Sequence, residues 1–197
     1  MSKYSDLAWK AYCEYGVRIE PKHSKWYWRA LDFLITIFTL GFVHFNNDYH
    51  TTIGNRIGVA YSWEWMSDDE KYVILSHELE HVKQFKKAGF GNVWLGTVIA
   101  GFAYLFLPLP IGLAYFRMRM ERAAFAQTIR ATAEVRGYVE ACKLYDHIER
   151  QFTGPNYLWM WPFKKSTREW FSDVFVRVVK EDREARLRRE RDKHAGL

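Results

Sequence analysis

Residues 67–89 read SDDEKYVILSHELEHVKQFKKAG, and this stretch carries the strongest structural signals in the sequence. Ser67 and Glu70 stand three residues apart, the pattern of a capping box, in which each side chain binds a free backbone N–H group at the start of a helix. Lys86 and Lys87 suit the negative end of the helix dipole, and Gly89 is typical of the position just past a helix end. We therefore predict a helix over residues 68–88.

Within this predicted helix, His77, Glu78 and His81 form the pattern His-Glu-X-X-His. Residues four apart are offset by about 40° around a helix axis, so the two imidazoles project side by side and can bind one zinc ion. Glu78 lies on the flank of that face, where it can take a proton from a water on the metal instead of binding the ion. The alternative is a helix in which two partly buried histidines have this spacing without any metal.

A catalytic zinc ion normally has three protein ligands and one open position. A histidine six residues after His81 would supply the third in one class of zinc enzymes, but Lys87 stands there. We predict Glu121 instead, because its helical neighbours are mostly apolar and a buried carboxylate among them needs a partner. The alternative for Glu121 is an ion pair with an arginine such as Arg117. The remaining candidates for the third ligand are Glu134, as the fallback, and then His44 or His50.

The sequence HELEH, with Gln84 after it and Glu121 forty residues after His81, resembles the HExxH zinc metallopeptidases called gluzincins, in a compact form. The resemblance covers about residues 50–140. It implies a zincin-like helical domain with His77, His81 and Glu121 as zinc ligands and Glu78 as the general base. It also implies that a hairpin at residues 51–61 could supply an edge strand along which an extended peptide lies.

The sequence departs from the thermolysin-like members of that superfamily at one position. Those members carry an aspartate four residues after the ligand glutamate, where it orients a histidine, whereas Phe125 stands four residues after Glu121. Either the histidines are oriented by groups from elsewhere in the chain, or the third ligand is a different residue.

The rest of the chain predicts a mainly α fold of the α+β type. Residues 50–65 are rich in β-branched and aromatic types around Gly-Asn-Arg, which predicts a small β-hairpin. A helical pattern runs over about 111–152, and a last helix over about 165–193 begins amphipathic and ends highly charged. We expect a single domain over 1–197, with a metal-binding core at 50–140 and a C-terminal helical extension at 163–197.

Residues 88–116 form a run of 29 residues without a charge. Pro108 and Pro110 interrupt it, which predicts an apolar helical hairpin bent at residues 107–110. One transmembrane pass would separate the predicted zinc ligands, and two passes need about 40 apolar residues. The hairpin is therefore either buried in the domain or inserted shallowly into one leaflet beside residues 33–45. In the second case the side chains at the lipid headgroups would be Trp26, Tyr27, Trp28 and Trp94.

Composition limits the partners and the compartment. The net charge of +6 allows an anionic membrane, a nucleic acid or an acidic protein as partner. The charged tail alternates in sign and no nucleic-acid-binding motif accompanies it, so we do not expect nucleic acid as a partner.

Cys13 and Cys142 are too few for a disulfide framework, and we expect both to be small buried side chains in a reducing compartment. The N-terminal residues lack the apolar core of a secretory signal, so we expect a cytoplasmic protein; if the hairpin inserts, the protein is peripheral on the cytoplasmic face of a membrane.

Together these features predict an enzyme, a zinc-dependent metallopeptidase that hydrolyses peptide or amide bonds in a peptide or protein substrate. The high aromatic content and the charged tail leave an alternative open. In that alternative the zincin scaffold serves a structural or interaction protein, membrane-associated or part of a larger assembly, with weak or no hydrolysis.

Overall fold

The structure is a computed structural model that describes residues 2–38, 50–106, 114–154 and 159–194. Over these residues it is mainly helical with a small three-stranded sheet, which confirms the predicted fold class. Short 3-10 helices lie at Lys22–Ser24 and Tyr61–Trp65. The α-helices are α1 (Lys3–Tyr15), α2 (Trp26–Phe38), α3 (Asp68–Ala88), α4 (Val93–Phe106), α5 (Tyr115–Arg136), α6 (Tyr138–Thr153) and α7 (Lys164–His194).

The sheet contains the predicted hairpin and one strand that the sequence did not reveal. Strands β2 (Thr51–Ile53) and β3 (Arg56–Val59) pair antiparallel around a turn at Gly54, as the turn residues indicate. Strand β1 (Arg18–Pro21) pairs in parallel with β3, so β3 is central and β2 lies at an edge of the described sheet. Four residues carry too little periodicity for β1 to be recognised from its sequence alone.

Helix α3 begins and ends where the sequence predicts. The capping box is formed, because the Ser67 hydroxyl accepts from the Glu70 N–H at 3.3 Å and the Glu70 carboxylate accepts from the Ser67 N–H at 2.8 Å. The fixed start of this helix sets the rotation of every later side chain around its axis, including the two histidines.

The helix predicted over 111–152 is two helices, and that prediction is wrong at its centre. Gly137 has a φ of 88°, a conformation open mainly to glycine, and it separates α5 from α6. The bend predicted at 107–110 lies outside the described residues. Helix α4 accounts for the first piece of the predicted apolar hairpin. Within the described part of the chain, no helix combines the length and apolarity needed to cross a membrane.

Helices α3 and α5 lie side by side and antiparallel, and this arrangement positions the site. Tyr72 donates to Glu134 at 2.8 Å near one end, while Gln84 donates to the Met120 carbonyl at 3.0 Å near the other. One apolar cluster lies on the sheet side of α3 and another joins α5, α6 and the first half of α7. Their buried members include Ala11, Ile57, Val59, Leu75 and Val82 in the first cluster, and Phe125, Ile148, Phe152, Phe171 and Val178 in the second.

Both cysteines are exposed, contrary to the prediction that they are buried. The inward positions of their helices belong to Ala11 in α1 and Ala141 in α6, which are fully buried. Cys13 and Cys142 follow two and one residues later, and a helix turns by about 100° per residue, so their side chains face outward.

Candidate metal centre

The structure brings His77, His81 and Glu121 together between α3 and α5. The Nε2 atom of His77 lies 3.6 Å from Glu121 Oε2, and that of His81 lies 3.8 Å from Glu121 Oε1. One potential ligand atom from each residue lies within 4.8 Å of the other two. The three side chains are largely buried, and Glu121 is the most enclosed, with 4% of its side-chain surface exposed.

The Nδ1 atom of each imidazole is held by a neighbouring side chain. Thr128 Oγ1, on α5, lies 3.0 Å from His77 Nδ1, and Gln84 Oε1, one turn along α3, lies 3.1 Å from His81 Nδ1. The Gln84 amide nitrogen donates to the Met120 carbonyl at 3.0 Å, which fixes the amide so that its oxygen faces the ring. Both histidines can therefore carry their proton on Nδ1 and present the lone pair of Nε2 towards Glu121.

This donor set fits a divalent metal ion. Two imidazole lone pairs and a carboxylate that face one another repel unless a cation or a proton lies between them. Two histidines and one carboxylate from two helices form a three-ligand set known for catalytic zinc. Burial would lower the pKa of His77, but a hydrogen bond donated by its ring to the Glu121 carboxylate and the negative charges of Glu78, Glu121 and Glu80 outweigh it, and the net pKa is raised. The electrostatic field at the site thus favours a positive charge.

Glu78 is buried beside this group and is held by the sheet. The Thr52 hydroxyl, on the edge strand β2, donates to Glu78 Oε2 at 2.7 Å. The same hydroxyl lies 3.3 Å from the Glu78 carbonyl oxygen. This contact fixes the carboxylate that the sequence predicts as a general base, and it joins β2 to the helix that carries both histidines.

Two further basic groups lie near Glu78. The Lys22 ammonium is buried and donates to Thr51 at 2.9 Å; burial lowers the pKa of Lys22 to about 7, against the attraction of Glu78 and Asp32. Burial also lowers the pKa of His50; the charge of Glu78 opposes this shift, while those of Lys22 and His77 add to it. The Ala60 N–H donates to His50 Nδ1 at 3.3 Å, which places the proton of the neutral ring on Nε2.

The other ligand candidates lie outside the three-residue group. Glu134 is on the same helix as Glu121 but is half-exposed, where it binds Lys3 at 2.9 Å and Tyr72 at 2.8 Å. His50 lies close enough to interact with Glu78 and His77 electrostatically, without joining the group. His44 lies outside the described residues.

Sequence reasoning missed the polar residues that surround the ligands. Thr128 lies seven residues after Glu121, a spacing that places both on one face of α5, so it could have been found once the helix was assigned. Thr52 and Lys22 come from β2 and the turn after β1, and no local spacing links them to α3. Phe125 occupies the position of the expected aspartate and packs its ring against His77, 4.9 Å between centroids.

Neither the protein-family models, nor the curated proteins, nor the solved structures compared with this chain match it.

Proposed function

We propose that this chain is a zinc-dependent hydrolase of peptide or amide bonds, a compact relative of the gluzincin metallopeptidases. One observation carries the proposal: the Nε2 atoms of His77 and His81 face Glu121 while a buried, hydrogen-bonded Glu78 stands on the adjacent position of the same helix. Zinc is proposed over other divalent ions because two imidazoles and one carboxylate suit its ligand preference.

The residues around the ion divide the chemistry between them. A zinc ion held by His77, His81 and Glu121 would polarise the scissile carbonyl and make a water molecule more acidic. Glu78 takes a proton from the attacking water as the new C–O bond forms. It then passes that proton to the amide nitrogen as the C–N bond breaks, so that a carboxylic acid and an amine leave. The hydrogen bond from Thr52 holds the Glu78 carboxylate in place between these two transfers.

The edge strand offers a place for an extended substrate. Strand β2 lies at an edge of the described sheet, and its Thr52 side chain already touches Glu78. A peptide that adds to a sheet edge is bound through main-chain hydrogen bonds, largely independent of its side chains. A peptide bound along β2 would therefore run past the general base.

The direct test is the substitution Glu78→Gln, measured on a library of quenched fluorescent peptides. It should keep the bound metal and lose hydrolysis by at least about a hundredfold, because glutamine cannot accept the proton. Glu80→Gln, two residues along the same helix, is the matched control and should keep most activity. Hydrolysis that survives Glu78→Gln in pure protein would contradict the assigned role.

Metal content tests the third ligand. The purified chain should contain about one equivalent of zinc by elemental analysis, and Glu121→Ala should lose most of it because only two ligands remain. Glu134→Ala removes a carboxylate from the same helix outside the group and should retain the metal. Metal bound as expected without cleavage of any peptide would favour the alternative of a structural or interaction protein on the same scaffold.

A further inference from the structure

We propose that α4 and the turn before it form a docking surface for an anionic phospholipid bilayer. This surface, called here the α4 face, consists of Phe90 and four side chains of the helix, Trp94, Leu95, Val98 and Ile99. The inference does not depend on the proposed enzymatic activity, because no residue of the α4 face belongs to the metal group.

The α4 face is apolar and exposed along one side of the helix. Its four helical members follow the spacing i, i+1, i+4 and i+5, which places them on one side. All four are exposed, and Val98 keeps 71% of its surface accessible. The opposite side is used for packing, because Gly96 and Ala100 are buried and Gly96 lies directly against the Phe85 carbonyl of α3. The Trp94 ring, at the edge of the face, also packs on the hairpin turn at Gly54, so Leu95, Val98 and Ile99 form its outward part.

Phe90 adds a second, independent observation. This residue has a φ of 53°, in the left-handed region that a bulky side chain adopts at an energetic cost, and 93% of the residue's surface is exposed. Packing within the chain does not compensate for that cost, since the ring lies in solvent. A strained aromatic residue held outside a protein surface is suited to insertion between lipid headgroups.

Charge favours a lipid surface over a neutral apolar partner. Lys87 is exposed three residues before Phe90, and Lys83 is exposed one turn earlier on α3, 3.6 Å from Glu80, whereas residues 88–116 contain no charge. An apolar face beside exposed lysines is complementary to a bilayer that contains acidic headgroups.

The interfacial role predicted for Trp28 is wrong, because this ring is buried against Gly58.

The test is sedimentation of the full chain with vesicles of phosphatidylcholine, alone or mixed with phosphatidylglycerol. We expect the chain to sediment with the mixed vesicles and to bind the neutral vesicles more weakly. Val98→Glu should lower the bound-to-free ratio about tenfold, because a charge opposes insertion of the apolar face. Val139→Glu is the matched control, since Val139 is also 71% exposed but lies on α6, and it should bind like the unsubstituted chain.

Two further variants separate the contributions of the aromatic ring and of charge. Phe90→Gly relieves the backbone strain and should leave the fold as stable or more so, yet weaken vesicle binding. The double variant Lys83→Gln, Lys87→Gln should lower binding to the acidic vesicles about fivefold per lysine. Lys165→Gln, at an exposed position on α7, should have no effect.

Three results would overturn the proposal. The first is a chain that stays in the supernatant with acidic vesicles. The second is Val98→Glu binding as well as the Val139→Glu control. The third is self-association of the unsubstituted chain, measured by analytical ultracentrifugation, that Val98→Glu abolishes, because the α4 face would then be covered by a second copy.

Discussion

The two imidazole rings of the candidate metal centre are oriented by contacts at Nδ1 that lie outside the ligand group. Thr128 and Gln84 supply these contacts, from α5 and α3 respectively. Such contacts fix which nitrogen carries the proton and keep the ring from rotating. The ring therefore loses less conformational freedom when an ion binds. The geometry of the candidate site at the scale of single residues thus depends on neutral side chains as well as on the three predicted ligands.

Lys22 provides a prediction at the same scale, for the pH dependence of stability. Its pKa is lowered from 10.5 to about 7 by burial, while Glu78 and Asp32 attract its charge and His50 lies nearby. Between these two values the unfolded chain binds more protons than the folded chain, so the free energy of unfolding rises with pH. From pH 7 to 9 this rise should reach up to about 1.4 kcal/mol per pH unit.

The substitution Lys22→Met should remove that rise. The free energy of unfolding of the unsubstituted chain and of the variant is measured with urea at pH 7, 8 and 9, after treatment with a chelator. The difference between the two isolates the contribution of Lys22, because groups that titrate in both proteins cancel. Parallel pH profiles of the two proteins would contradict a lowered pKa of Lys22.

At the scale of elements, the close crossing of α3 and α4 determines how the apolar run is presented. A side chain at Gly96 would meet the Phe85 carbonyl oxygen at 1.6 Å and the Gly89 nitrogen at 2.8 Å, both of them backbone atoms. Only glycine allows this approach. With α4 held closely by its Gly96 side, Leu95, Val98 and Ile99 on the other side are exposed.

Gly96→Ala should therefore lower the free energy of unfolding by about 2 kcal/mol or more, since backbone atoms cannot move aside as a side chain can. Gly101→Ala is the matched control on the same helix, because a Cβ there has no neighbour within 4 Å. That variant should be neutral or more stable by about 0.5–1 kcal/mol, from the higher helix propensity of alanine. Equal denaturation midpoints for the two variants would contradict this prediction, because α3 and α4 would then move apart without loss of stability.

At the scale of the whole molecule, the candidate metal centre connects the two apolar clusters. Helix α3 packs on the sheet and α1, while α5 packs on α6 and α7, and the three predicted ligands span α3 and α5. A metal ion bound there would join the two halves of the fold. It would stabilise only the folded chain, because the unfolded chain does not bring His77, His81 and Glu121 together.

Removal of the metal should accordingly lower the melting temperature. An ion at about a hundred times its dissociation constant stabilises the fold by about 2.7 kcal/mol, which corresponds to about 5–10 °C for a chain of this size. Differential scanning fluorimetry with and without a chelator measures the change, and added zinc should reverse it. Glu121→Ala should show little response to the chelator. An equal loss in that variant would place the stabilising ion elsewhere.

The sequence by itself determined the features that depend on local chemistry. The capping residues, the charged last turn and the spacing of His77 and His81 all lie within one helix, so α3 and its histidine pair could be predicted to the residue. The hairpin followed equally from its β-branched residues and turn. Glu121 could be predicted as the third ligand because its neighbours along the same helix are mostly apolar, and the local sequence shows this.

Only the tertiary structure decided which side chains meet across elements. The break at Gly137 depends on a backbone conformation that a helical pattern does not reveal, and the pairing of β1 with β3 joins segments more than thirty residues apart. The contact of Thr52 with Glu78, the burial of Lys22 and the exposure of the α4 face arise in the same way. Each depends on how separate elements pack, and that packing is set by the sum of many weak contacts along the whole chain, which no single stretch of sequence contains.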